Sequence, residues 1–122
     1  VIFDNNILIY ISKNILTVAD VLPVDVEPKI SVVSYIEALG YAFATEKDKF
    51  YMEQICSLCQ RLELTEDIVQ QTVRLKSKYK IKLPDAIIYA TASVQNTPLL
   101  TNNVADFTAL DGNVQLINPF TL

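Results

Sequence analysis

The chain contains no histidine and no tryptophan, and only two glycines, two cysteines and one methionine among its 122 residues. Each scarcity closes a route. Without histidine the usual zinc ligand sets are incomplete, and RNA cleavage through the 2′-hydroxyl lacks its common general acid–base group. Cys56 and Cys59 form a C-x-x-C, but no second pair exists to complete a metal site. The segment FYMEQICSLCQRLEL around them has helical period, with Tyr51, Ile55, Leu58, Cys59 and Leu62 on one stripe, so both cysteines are expected to be reduced and packed on a helix. So few glycines leave loops that are not built for wide flexibility. No apolar run approaches the roughly 20 residues that cross a bilayer, and the first residues lack the basic-then-apolar layout of a signal peptide. A cytoplasmic protein without a membrane partner is the expectation.

Positive charge is also in deficit. Ten Lys and Arg face 14 Asp and Glu, for a formal charge of −4. The molecule as a whole does not attract phosphate backbones, so any nucleic-acid contact must be local. The one basic concentration is Lys76, Lys78, Lys80 and Lys82, interleaved with Tyr79 and placed directly before Leu83-Pro84-Asp85. It reads either as the solvated end of a helix, where cations suit the dipole, or as a phosphate-binding rim.

What is abundant is apolar surface, at 51% of residues against 20% charged. A chain of this length and composition buries its own core, and residues 1–122 read as a single domain. Short apolar runs alternate with stretches of helical period, which predicts an α/β fold with a parallel sheet. The strand candidates are 1–3, 30–33, 62–64, 98–101 and 114–117. Helices are expected over 6–12, 16–22, 34–44, 46–60, 66–79 and 84–94, with a loop from Pro23 to Pro28. Thr65 is a good N-cap for the helix whose buried stripe is Ile68, Thr72, Leu75 and Tyr79. The run DAIIYATASV is small or apolar nearly all round, which marks a helix buried on more than one side.

Four acidic residues stand where strands end or helices begin. Asp4 follows the first strand, Glu37 is placed in the first turn of the helix after ISVV, Asp85 opens the buried helix, and Asp106 lies a few residues beyond PLLT. Each has a local explanation. Asp4 suits an N-cap, Ser34 and Glu37 have the spacing of a capping box, Asp85 complements a helix dipole, and Asp106 is a loop aspartate. Together they suggest more, because the carboxyl ends of parallel strands share one edge, where ligands bind. Carboxylates gathered there repel one another unless a cation compensates. A ligand set of carboxylates alone suits Mg²⁺ or Mn²⁺, which can activate a water against a phosphodiester.

The segments VIFDNNILIY, VVSYIEAL, LPDAIIYATA and PLLTNNVADF, followed by VQLINPF, resemble the PIN-domain family and within it the bacterial VapC-type toxins. The resemblance spans essentially the whole chain. It implies a three-layer fold with a five-stranded parallel sheet in the order 3-2-1-4-5, and a metal-dependent endoribonuclease centre. It places the family's acids at Asp4, Glu37 and Asp85 with Asp106 as the fourth, and matches Asn6 and Thr101 to positions that shape the site. Asn103 lies where many members have aspartate, and Asn5 stands where the family usually has Thr or Ser. The resemblance further implies an RNA substrate, a homodimer, and a cognate antitoxin that covers the active-site groove. Two other readings stay open. One is a PIN module without catalysis that binds RNA or a protein. The other is a phosphoacceptor receiver domain, whose acceptor Asp after the third strand and Lys after the fifth have no counterpart in Leu64-Thr65-Glu66 and VQLINPF.

Overall fold

The computed structural model describes residues 1–22 and 25–121. The start of the Pro23 to Pro28 loop therefore lies outside the described residues.

Five short strands form one parallel sheet in the order β3-β2-β1-β4-β5. They are β1 (Ile2–Phe3), β2 (Lys29–Ser31), β3 (Gln60–Leu62), β4 (Leu99–Leu100) and β5 (Leu116–Ile117). Alternation along each strand sorts side chains to the two faces. Ile2, Leu99 and Leu116 join one apolar cluster, while Phe3, Leu100 and Ile117 join the other. The first cluster lies under α5 (Glu66–Lys78), α6 (Leu83–Gln95) and α7 (Val104–Thr108); the second under α1 (Asn5–Ser12), α2 (Val18–Val21) and α4 (Glu46–Ser57). Residues of α3 (Val32–Leu39) pack on both, with Ala38 in one cluster and Val33 against the other. The chain closes with a 3-10 turn over Pro119–Thr121.

The expected elements are present, with informative shifts. Helix α5 buries Ile68, Thr72 and Leu75 and carries Thr65 as N-cap, its hydroxyl accepting from the Ile68 amide. From Ala86 to Ala92 every residue of α6 is buried, as its all-round apolar character requires. Helix α4 stops at Ser57, three residues earlier than predicted. Its inner face is Met52, Ile55 and Cys56, whereas Leu58 is 64% exposed and Cys59 lies beyond the helix end. Both thiols are free, and burial holds the Cys59 thiol up at about 12, so neither is a reactive pair.

The capping box predicted at Ser34 is absent. Strand β2 ends sooner than expected, and Ser31 is the N-cap, its Oγ accepting from the Val33 amide at 3.1 Å. Ser34 is fully buried inside the helix and its Oγ has no partner among the described residues. A capping box does form at Thr17 and Asp20, opening α2.

Candidate metal centre

Because all five strands are parallel, β1, β2 and β4 deliver the residues that follow them to one edge of the sheet. Asp4 follows β1 directly and caps α1, its Oδ1 accepting from the Asn5 amide at 2.7 Å. Its other oxygen accepts from Thr101 Oγ1, also at 2.7 Å, just beyond β4. Thr101 is fully buried and Asp4 is 5% exposed, so this bond fixes the carboxylate where the two central strands end. The same hydroxyl accepts from the Asn103 amide at 2.9 Å. Asn103 Nδ2 then donates to Asp106 Oδ2 at 2.7 Å. One chain of bonds thus links Asp4 to Asp106 through Thr101 and Asn103. An aspartate in place of Asn103 would set two like charges together, whereas the amide donates to one.

Glu37 sits in the second turn of α3, one turn deeper than expected, because Ser31 rather than Ser34 opens that helix. It is exposed and makes no hydrogen bond or ion pair among the described residues. Asp85 is in the first turn of α6, partly buried and similarly free of protein partners. Asn6 lies in the first turn of α1 and its Oδ1 meets the Asn102 amide at 3.5 Å. Asn102 also donates to the Tyr10 hydroxyl at 3.0 Å, a role that nothing in its polar sequence neighbourhood singles out.

The electrostatics report the grouping. Burial pushes the Asp4 carboxyl up, against the Thr101 and Asn5 hydrogen bonds. Glu37, exposed as a residue but with its carboxyl partly desolvated, is raised by that desolvation and by the charges of Asp85 and Asp4. Asp85 is raised by burial and by Asp4 and Asp106, with Lys82 acting the other way. Asp4, Glu37 and Asp85 are therefore within electrostatic reach of one another, and Asp106 is within reach of Asp85. As the side chains stand, no three acidic, cysteine or histidine groups among the described residues are close enough to chelate one ion. The donor set nonetheless fits Mg²⁺ or Mn²⁺: it is all hard oxygen and like-charged, and Asp4, Glu37 and Asp85 within it are raised in pKa. Glu37 and Asp85 have no protein bond to break in turning toward a cation beside the fixed Asp4.

The four lysines divide. Lys76 Nζ donates to the Ile81 carbonyl at 2.6 Å, tying the end of α5 to the turn before α6. Lys78 lies 5.8 Å from the centre of the Tyr79 ring. Lys76, Lys80 and Lys82 wall a shallow cleft with Tyr79 and Ile81, and Lys82 is the residue from which α6 and Asp85 begin.

The PIN domain family profile matches residues 1–113. The chain belongs to the PIN domain family. A search among curated proteins finds no match. Among solved structures, a chain of a toxin-antitoxin complex from Klebsiella pneumoniae is 29% identical with a TM-score of 0.75, over 97% of this chain and 96% of that one. A chain of VapBC-1 from nontypeable Haemophilus influenzae is 25% identical with a TM-score of 0.76, covering 98% and 97%. DNA-bound VapBC from Salmonella typhimurium contributes a chain only 16% identical but with a TM-score of 0.85, covering 97% and 96%. The last is a likeness of fold. The five-stranded parallel sheet in the order 3-2-1-4-5 is thus the PIN arrangement in sequence and in structure.

Proposed function

We propose that this PIN domain is a Mg²⁺- or Mn²⁺-dependent endoribonuclease and the toxin of a type II toxin–antitoxin pair, acting as one domain that forms a cytoplasmic homodimer. The observation that carries the reading is the placement of Asp4 at the carboxyl edge of a PIN sheet, where Glu37 feels the charges of Asp85 and Asp4 and Asp85 those of Asp4 and Asp106. The likeness to chains of toxin-antitoxin complexes supports the antitoxin partner.

Asp4, Asp85 and Asp106 would hold the cation, and Glu37 would join as ligand directly or through water. A bound divalent cation supplies an activated water and offsets charge on the phosphodiester. Thr101 keeps Asp4 in one orientation, and Asn103 does the same for Asp106 while adding no negative charge. Asn6 braces the segment after β4 through Asn102. Lys76, Lys80 and Lys82 offset the repulsion between an acidic protein and RNA, and Lys78 adds charge at the same helix end.

Asp4→Asn and Asp85→Asn should each remove Mn²⁺ binding in calorimetry and abolish cleavage of single-stranded RNA, with circular dichroism unchanged. Wild-type rates in either variant would sink the assignment. The separation of the acids beyond chelating distance favours one other reading, a PIN module that binds RNA or a protein without cutting. Nuclease-free protein that neither binds Mn²⁺ nor cleaves RNA would establish that alternative.

A further inference from the structure

Beside the carboxylates lies a cavity of about 440 Å³ between α1, α3, α4 and the loop joining α3 to α4, with Glu37 and Asn5 in its wall. Three aromatic rings line it. Tyr41 and Phe43 come from the loop, set edge to face with centroids 5.5 Å apart, and Tyr51 comes from α4. Tyr41 is 70% exposed, and its hydroxyl has no hydrogen bond among the described residues. Tyr51 is held by its hydroxyl donating to Asn14 Oδ1 at 3.3 Å. Asn5 Oδ1 is shielded from solvent and has no donor among the described residues. Rings that a fold leaves open to solvent are suited to stacking a flat partner.

Charge narrows the occupant. Lys13 is the one cation of the wall, against the carboxylates Glu37 and Asp48. Such a cavity repels a phosphate but accepts an uncharged ring. Its wall includes Glu37, which belongs to the carboxylate group. A ligand with a phosphodiester at the carboxylates and a planar uncharged ring in the cavity is a nucleotide of a single strand. We infer that the cavity receives the nucleobase adjoining the scissile phosphodiester, stacked on the face of Tyr41. This rests on the endoribonuclease reading and adds to it a source of sequence preference.

The test is binding of single-stranded oligoribonucleotides carrying 2-aminopurine at successive positions, with a cleavage-resistant phosphorothioate backbone and Mg²⁺ present. Stacking should quench fluorescence at one register. Tyr41→Ala should weaken binding at that register by roughly 5- to 150-fold, the loss of one base–aromatic stack. Tyr41→Trp should restore it, and Mn²⁺ binding should be the same in all three proteins. Equal affinity of wild type and Tyr41→Ala, or quenching at no position, overturns the inference. So does an NMR titration in which the Tyr41 and Phe43 ring signals ignore RNA but shift with an amphipathic peptide, which assigns the cavity to a protein segment. Cleavage of ordinary RNA without quenching keeps the ribonuclease and removes the base site. Quenching without cleavage of ordinary RNA does the reverse.

Discussion

At the scale of single residues, Thr101 bears the most on the site. Its hydroxyl donates to Asp4 and accepts from Asn103, so it orders two of the four acids without carrying charge. Thr101→Val keeps the shape and deletes the donor. Metal affinity measured by Mn²⁺ calorimetry should fall by about 10- to 100-fold, the usual loss when a ligand's outer partner is removed. An unchanged affinity would mean that Asp4 orients itself. The position of Asp4 directly after a strand and its suitability as an N-cap were legible in the sequence, and the structure shows it capping α1. Thr101 was legible only through family resemblance, since nothing local distinguishes a threonine at a strand end. Asn5 and Asn102 drew no structural role from sequence, because their placement depends on elements distant in the chain.

At the scale of elements, α3 marks where pattern and structure part. Ser34 and Glu37 have capping-box spacing, yet three residues upstream Ser31 occupies the position where extended backbone turns helical. The apolar run ISVV gave no sign that the strand stops after its serine, so the helix start was placed too late and Glu37 one turn too early. The two assignments predict different stabilities. Ser31→Ala should cost about 1 kcal/mol in urea unfolding, the typical loss of an N-cap. Ser34→Ala should cost nothing or stabilise slightly, because it removes a buried hydroxyl that has no partner among the described residues. The reverse order would restore the cap to Ser34. Helix α6, by contrast, was readable in full: a run of small and apolar residues with proline near its start admits few other structures.

For the molecule as a whole, the acidic group costs stability at neutral pH. Asp4, Glu37 and Asp85 all titrate above their ordinary values of 3.8 or 4.5. Across the interval opening at those values and extending upward, the folded chain holds protons that the unfolded chain has released. The contribution of these groups to stability therefore falls as pH rises through it. In EDTA at about pH 7.5, Asp85→Asn should melt above the wild type, and the gap should close as pH drops toward about 4. Adding Mn²⁺ should raise the wild-type Tm and leave the variant behind, through binding to the folded state alone. A variant that melts lower than wild type in EDTA at neutral pH would show that the carboxylates do not strain the fold. The α/β class and the parallel sheet were legible in the alternation of apolar runs and helical periods, whereas the strand order 3-2-1-4-5 was legible only through the family resemblance. Distances between the acids were not, since they depend on how far each helix start is displaced from its strand.

The bond from Thr101 to Asp4 joins residues 97 positions apart. During synthesis Asp4 leaves the ribosome long before its partner exists, and β1 must wait for β4 to complete its pairing. A carboxylate that meets its fixing hydroxyl only after 97 further residues have been made stays without that restraint until the two central strands have paired, so the order of synthesis and the order of assembly differ here.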